Sequence, residues 1–139
     1  MSIANVIDYM QCKYAAMTYI TKAPDAFTAK IPQNYLPFAW TYAGEVRADL
    51  DSGIKLASIE FVTPILVFAL GNVIGWRDGP ANAHKILEES IAYWRDNRTL
   101  GGTVKTTTAI TGGIVDRIQW WDGIEYFGVM VNVTALVVL

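Results

Sequence analysis

The most regular hydrophobic pattern in the chain spans residues 80–97. Apolar and small residues recur there at intervals of three and four, with mostly charged residues between them. This spacing predicts an amphipathic helix, and Pro80 suits a first helical position with Asp78 or Gly79 as the cap. The face predicted to be buried consists of Ala83, Ile86, Leu87, Ser90, Ile91 and Trp94.

A second amphipathic helix is predicted over residues 3–20. Its apolar positions again follow helical spacing: Ile3, Val6, Ile7, Met10, Tyr14, Met17 and Ile20. Three prolines within residues 23–37 then predict a loop with little regular structure.

Residues 38–70 predict an antiparallel pair of strands. Residues 38–50 alternate between apolar and more polar side chains, as expected for a strand with one buried and one wetter face. A turn at residues 51–53 leads into a second strand, where Pro64 requires a bulge, a break or an edge position. Residues 71–79 then predict a loop that contains Trp76.

The C-terminal residues 103–138 predict three more strands. Apolar residues alternate with polar ones in each of them, and turns that contain glycine separate them. The sequence Thr-Gly-Gly at residues 111–113 predicts a turn between the first two strands. Asp122-Gly123 predicts a two-residue hairpin turn between the last two.

A two-residue turn at Asp122-Gly123 would fix the register of this hairpin. Ile118 would lie opposite Phe127, and Trp121 opposite Ile124. Ile118, Trp120 and Phe127 would then share the face that receives the central helix, together with the valines that follow in the last strand.

These elements predict an α+β fold, a mostly antiparallel sheet of about five strands covered by two helices. The chain of 139 residues is long enough to bury one core without disulfides, and it forms a single predicted domain.

The composition favours self-association. The chain is 53% apolar and only 17% charged, against typical values of about 45–50% and 25%. The longest uncharged run near the middle, residues 61–76, contains proline, glycine and asparagine and is too short to span a membrane. We therefore expect no membrane association, synthesis in the cytosol and apolar surface reserved for other subunits.

Several kinds of function are disfavoured by composition. The net charge of −2 and scattered basic residues provide no basic patch for nucleic acid. Cys12 and His84 are the single cysteine and the single histidine, so a cysteine-based metal site or a Cys-His pair cannot form within one chain. We expect no catalytic residue, no metal and no cofactor.

The residues Glu45, Arg47 and Asp49 are candidates for a subunit interface. They alternate in charge along one face of the predicted strand 38–50, a pattern that can set the register between neighbouring subunits. Trp76 is a further candidate, because tryptophan is frequent among interface anchors.

A second hypothesis is a ligand-binding cone, in which a curved sheet and the tryptophans enclose a pocket for a small molecule. Its candidate polar groups are Tyr42, Glu60 and Asp116.

The C-terminal part of the chain resembles a known protein family. It has a helix that ends in Asp-Asn-Arg-Thr-Leu-Gly-Gly-Thr-Val at residues 96–104, followed by a threonine-rich strand. Its final strand contains Tyr-Phe-Gly-Val-Met-Val-Asn-Val at residues 126–133. These segments resemble the small tail-terminator or tail-completion proteins of long-tailed bacteriophages, and related minor tail and neck proteins.

The resemblance implies a structural virion protein without enzymatic activity. Such a protein forms a ring, commonly a hexamer, that caps the tail tube at the head–tail junction. Its implied partners are copies of itself, the tail tube protein and the head–tail connector, and it would be found in the host cytoplasm during assembly. A head-closure or other neck protein of the same particle is an alternative within this resemblance.

Overall fold

Two helices and one antiparallel sheet form the fold, as described by the computed structural model for residues 2–48 and 55–139. The helices are α1 (Ile3–Ala15) and α2 (Gly75–Asp96). The strands are β1 (Phe38–Ala39), β2 (Tyr42–Ala48), β3 (Leu56–Ala69), β4 (Thr106–Gln119) and β5 (Glu125–Val138). The predicted α+β single domain with five strands and two helices is confirmed.

The sheet is built around the long strands β3 and β5, which pair with each other along their length. The strand β4 pairs with β5 and forms one edge, while β1 and β2 both pair with β3 and form the other. The strands β3, β4 and β5 each contain 14 residues, so the sheet is about 46 Å long at ~3.3 Å per residue.

One face of the sheet, the helix face, is covered by α1 and α2 and contains the main core. The predicted apolar face of α2 is buried or half-buried there. Trp94 is fully buried and donates its indole N–H to the hydroxyl of Tyr14 on α1 at 2.9 Å. The sheet contributes alternate residues to this core, among them Phe61, Ile65, Val129, Val131 and Val133.

The opposite face, the outer face, is covered only in part. The loop formed by residues 23–37 packs over its end near the β4–β5 turn. A second, smaller core forms between this loop and the sheet from Ile31, Phe38, Leu66, Ile118, Trp120 and Tyr126.

Both predicted helices exist, but their bounds differ from the prediction. The first ends at Ala15 rather than at residue 20, because the chain leaves it to run beside β1, where the Ala39 N–H donates to the Lys22 carbonyl at 3.0 Å. The second begins at Gly75 rather than at residue 80, so the predicted loop at 71–79 and the caps Asp78 and Gly79 were wrong.

Packing against Phe68 explains the early start of α2. The helix positions of Gly75 and Gly79 lie directly over the Phe68 ring, where a Cβ atom at either position would overlap it. Trp76 packs against the same ring with a centroid distance of 4.9 Å. Packing of these aromatic groups against each other stabilises a helical turn that a sequence rich in glycine would not favour alone.

The predicted strand at 38–50 is divided into β1 and β2. The side chain of Gln11 takes part at the break: its amide donates to the carbonyl of Ala39 at 3.2 Å and accepts from the N–H of Thr41 at 2.9 Å. The break lies beside Pro64, whose carbonyl accepts from the N–H of Trp40. The predicted bulge, break or edge position at Pro64 itself was wrong, because β3 is an inner strand that continues through this proline in regular register. A further register shift between Ala43 and Val46 ends the predicted alternation.

The predicted turn at residues 111–113 was wrong, because β4 continues through it. Gly112 lies beneath α2, where a Cβ atom would come within 2.8 Å of the Leu87 Cδ1. This glycine therefore permits close approach of a helix to a strand, rather than a turn.

The predicted register of the last hairpin was also wrong. Its loop has three residues, because the N–H of Trp120 donates to the carbonyl of Ile124 at 3.1 Å. Ile118 consequently lies opposite Tyr126 rather than Phe127. Since a shift of one residue changes the face, Ile118 and Trp120 lie under the loop on the outer face, while Phe127 belongs to the core on the helix face.

Candidate self-association surfaces

The predicted interface residues lie at two distant places. Glu45 and Arg47 lie on β2, where they form an ion pair at 3.0 Å with side chains that are 66% and 80% exposed. Trp76 lies on the first turn of α2 and donates its indole N–H to the carbonyl of Leu70. Because Arg47 pairs with Ser58 and Trp76 contacts Phe68, the two places are roughly 30 Å apart along β3. Asp49 lies outside the described residues.

The outer face is shallow and polar around the Glu45–Arg47 pair. A depression of about 200 Å³ lies between β2 and the centre of the sheet, lined by Glu45, Arg47, Ser58, Glu60 and Thr134. Its exposed ion pair contributes little stability by itself, since surface pairs are typically worth less than about 1 kcal/mol. This area presents charges of both signs to a neighbouring molecule.

The residues proposed for a ligand-binding cone are not brought together. Tyr42 and Glu60 share the outer face, since Tyr42 pairs with Val62 in the same strand as Glu60. Asp116 follows Val115 on β4. Val115 lies opposite Gly128 on β5, which in turn lies opposite Leu66 on β3. It is therefore roughly 20 Å from Glu60 along the sheet.

Three of the five tryptophans, Trp40, Trp120 and Trp121, belong to one aromatic cluster at the outer face. Phe27, from the loop over the outer face, contacts Trp40 at 5.6 Å and Trp121 at 5.1 Å between ring centroids. Trp120 contacts Trp121 at 5.0 Å and Phe38 at 5.8 Å. The aromatic rings thus attach the loop to the sheet.

A surface of exposed apolar residues lies around the β4–β5 turn. The turn is adjacent to the loop that follows β3, because the N–H of Leu70 donates to the carbonyl of Glu125 at 3.0 Å. Val73, Ile74 and Trp121 are 84%, 82% and 69% exposed. We call this the tip surface, and it comprises Phe27, Val73, Ile74, Trp76, Trp121 and Ile124.

The tip surface rests on an ordered frame of hydrogen bonds. The carboxylate of Asp122 accepts from the N–H of Ile124 and from the hydroxyl of Tyr126, each at 2.9 Å. Burial raises the pKa of the Tyr126 hydroxyl above its usual value, and the adjacent Asp122 raises it further, so Tyr126 remains a donor at neutral pH. The indole N–H of Trp120 donates to the carbonyl of Thr28 at 3.0 Å and fixes the covering loop.

The two edges of the sheet differ in how they are protected against pairing with a further strand. The segment at residues 21–22 bonds to the chain around β1, and β2 carries a register shift and two charged residues. The strand β4 pairs only with β5 within the described residues, and it too carries register shifts, between Thr107 and Ala109 and between Val115 and Ile118. Its charged residues, Asp116 and Arg117, lie near its C-terminal end. Its segment 109–115 is regular in register and contains no charge and no proline. Natural proteins usually protect such an edge with lysine, proline, bulges or short strands.

Sequence reasoning missed this edge because the predicted turn at 111–113 divided β4 into two short strands. The order of strands depends on long-range pairing, for which the local pattern gives no signal.

Among residues 2–48 and 55–139, no helix has the length and apolar character that crossing a membrane requires. The same residues contain no cluster of three histidine, cysteine, aspartate or glutamate side chains that could hold a metal ion. No protein-family model matches the chain, and no curated protein matches it.

Proposed function

We propose that this chain is a ring-forming structural protein of a long-tailed phage or a phage-like particle. In this proposal it is a tail terminator or tail-completion protein that caps the tail tube and joins it to the head–tail connector. The observation that carries the proposal is the tip surface, which concentrates exposed apolar side chains at one end of the molecule.

More than half of the large hydrophobic residues that are exposed in the described part of the chain lie on this surface. A concentration of exposed apolar residues usually marks a protein interface, and tryptophan is frequent at the energetic centre of such interfaces. A protein that caps a tube needs an apolar end for the tube or connector and separate sides for its neighbours. The tip surface and the strand edges supply these two kinds of surface on different parts of one subunit.

The segments that carry the resemblance form central parts of the fold. Residues 96–104 contain the end of α2 and the short turn Leu100–Gly102 that leads towards β4. Residues 126–133 lie in β5, between β3 and β4. The resemblance therefore involves the framework that positions both the tip surface and the edge of β4, which supports its use in the proposal.

The location of the protein in the particle tests this function. We expect antibodies against the chain to label the head-proximal end of tails, and particles made without the protein to leave heads and tails unjoined. Normal joining in its absence would contradict the proposal. Label on detached heads, with none on detached tails, would instead support the head-closure alternative.

A pair of variants tests the part played by the tip surface. Val73→Ser combined with Ile74→Ser changes two side chains that are almost fully exposed, so the fold should be retained while joining is lost. Tyr19→Ser is the control, since Tyr19 is exposed but does not belong to the tip surface. Equal joining by both variants would show that the tip surface has no role in it.

A further inference from the structure

The outer edge of β4 carries backbone groups that can bond to a further strand. Segment 109–115 is regular in register and contains neither charge nor proline, the features that usually block such an edge. Within the described residues, no strand pairs with this edge. The edge therefore favours a partner that contributes an extended strand.

Hydrogen bonds within the sheet show which backbone groups of β4 point outward. In an antiparallel sheet the N–H and C=O of one residue point to the same side, and successive residues alternate. The carbonyl of Pro64 accepts from the N–H of Trp40 on the β1–β2 side. Met130, opposite Pro64, therefore directs its groups away from β3 towards Gly113 on β4. Along the regular segment of β4, the residues whose groups point away from β5 are then Ile110, Gly112 and Ile114.

The outward residues are arranged symmetrically about Gly112. When a second β4 pairs antiparallel around a two-fold axis at Gly112, this glycine lies opposite its own copy, and Ile110 lies opposite Ile114 of the second copy. All outward groups of segment 110–114 are then bonded. An axis at Thr111 or Gly113 would instead place one of the isoleucines opposite a register shift of the second copy.

Apolar side chains flank this axis on the helix face. Ile110 and Ile114 are only half-buried there. Leu87 and Ile91 of α2 are also half-buried, and their Cδ1 atoms lie 2.8 and 3.1 Å from the position that a Cβ atom on Gly112 would take. Because the Cα atoms of the two glycines would be about 5.5 Å apart, these side chains of both copies meet across the axis. Pairing thus removes apolar surface from water.

The N-terminal end of this edge is positively charged. Arg95 and Arg98, from the end of α2 and the residues after it, line a depression together with Thr108 of β4. Asp96 lies 3.5 Å from Arg95, so Arg98 supplies the excess positive charge.

The C-terminal end of the edge is negatively charged. Arg117 is paired with Glu125 at 2.9 Å, so the exposed Asp116 supplies the excess charge. The register shift places Asp116 opposite Phe127, a residue of the helix face. In the two-fold pair, Asp116 of one copy lies opposite Thr108 of the other, beside the positive depression. The register that bonds the outward groups therefore also brings opposite charges together.

We propose that two copies of the chain pair through their β4 strands, antiparallel and with the two-fold axis at Gly112, so that one sheet continues across both copies. This inference goes beyond the proposed function, because it specifies a subunit contact that does not depend on a phage tail. The tip surfaces of the two copies point in opposite directions along the strands. A ring assembled from such pairs presents tip surfaces to the tail tube at one end and to the connector at the other.

Disulfide formation between two different single-cysteine variants tests the pairing. In the proposed register Thr111 lies opposite Gly113 of the second copy, with Cα atoms about 4.5 Å apart. Two copies of Thr111 are diagonal neighbours at about 7–8 Å, whereas a disulfide usually requires about 4.4–6.8 Å between Cα atoms. The exposed Cys12 is first replaced by Cys12→Ser.

Thr111→Cys and Gly113→Cys are prepared separately, one of them with a size tag, and mixed under oxidising conditions. We expect the covalent product to be mainly the heterodimer, and each variant alone to give several-fold less dimer. Ala109→Cys mixed with Val115→Cys provides an independent pair, since these positions also lie opposite each other in the proposed register. Retained thermal midpoints show that the variants are folded.

The opposite edge of the sheet supplies matched controls. Tyr42 is exposed on β2, and Tyr42→Cys mixed with Thr111→Cys should give no heterodimer. Thr111→Lys, added to both Ala109→Cys and Val115→Cys, should abolish their cross-link, because lysine on an edge opposes strand pairing. Tyr42→Lys should leave that cross-link in place.

Three results would overturn the proposal: no heterodimer in either mixture, a Thr111→Cys homodimer as the main product, or a heterodimer with Tyr42→Cys. The second would mean a different register and the third a contact between β4 and β2. Labelling away from the head–tail junction would reject the proposed function and leave a positive cross-linking result valid.

Discussion

The backbone N–H of Trp120 donates to the carbonyl of Ile124 at 3.1 Å, across the turn that joins β4 to β5. The carbonyl of Trp120 accepts from the N–H of Gly123 at 3.0 Å. These bonds define a three-residue loop, in which Gly123 adopts a φ of 79°. The loop determines which face Ile118 and Trp120 occupy, and thereby how the covering loop is attached.

Gly123→Val should destabilise the protein, because residues with a Cβ rarely adopt positive φ and β-branched side chains least of all. We expect a loss of about 1 kcal/mol or more in the free energy of unfolding, measured by urea denaturation. Gly113→Val is the control, because Gly113 lies in a strand without positive φ and a Cβ there meets no atom within 4 Å. Equal stability of both variants would contradict the described loop.

Gly79→Ala should also destabilise, although alanine in a helix normally stabilises by about 1 kcal/mol relative to glycine. The added Cβ would overlap the Phe68 ring, which is held between Trp76 and Phe127. We expect a net loss of about 1–3 kcal/mol from overpacking, measured by thermal or urea unfolding. Gly71→Ala serves as the comparison, because the new Cβ there has open space. A stabilised Gly79→Ala protein would show that α2 does not pack on Phe68 as described.

Gln11→Met should reduce stability by about 2–3 kcal/mol, because it leaves buried backbone groups without partners. The Gln11 amide donates to the carbonyls of Pro24 and Ala39 and accepts from the N–H of Thr41. Gln119→Met changes an exposed glutamine on β4 and should have little effect. If the two substitutions had equal effects in urea denaturation, the amide of Gln11 would have no role in holding the break between β1 and β2.

The stability of the protein should decrease at alkaline pH through Tyr14. Burial raises the pKa of its hydroxyl from 10.0 to about 12. Between these values the unfolded chain loses this proton while the folded chain retains it, so the stabilisation present below pH 10 is lost as pH rises through 12. Tyr14→Phe should be less stable at neutral pH, because Trp94 loses its acceptor, but its stability should decline less from pH 10 to 12. If the stability of Tyr14→Phe declined from pH 10 to 12 as much as that of the unmodified protein, this role of Tyr14 would be contradicted. Tyr19→Phe, at an exposed position, is the control.

The pattern of apolar residues was sufficient to predict both helices and an antiparallel sheet, because burial on one side imposes a period near 3.6 or 2. It was insufficient for the start of α2, where contact with Phe68 overrides the weak helix preference of Gly75 and Gly79. It was also insufficient at Gly112, since a glycine beneath a helix and a glycine in a turn look alike in sequence. Such positions depend on residues that are distant in the chain.

The candidate site was predicted only in part. Glu45 and Arg47 are exposed on a strand, as the alternating charges indicated. Trp76 was expected in a loop but lies on α2, because the same aromatic contacts extend the helix. The edge of β4 depends on strand order, which follows from long-range pairing and could not be obtained from local periodicity.

The mass of the purified protein in solution, measured by light scattering over a range of concentrations, tests the central claim most directly. A closed ring predicts one discrete species, close to the mass of a hexamer of the 15.4 kDa chain, whose size stays constant once it has formed. A protein that remains a monomer or a dimer at every concentration, or that grows without limit, would contradict the proposal.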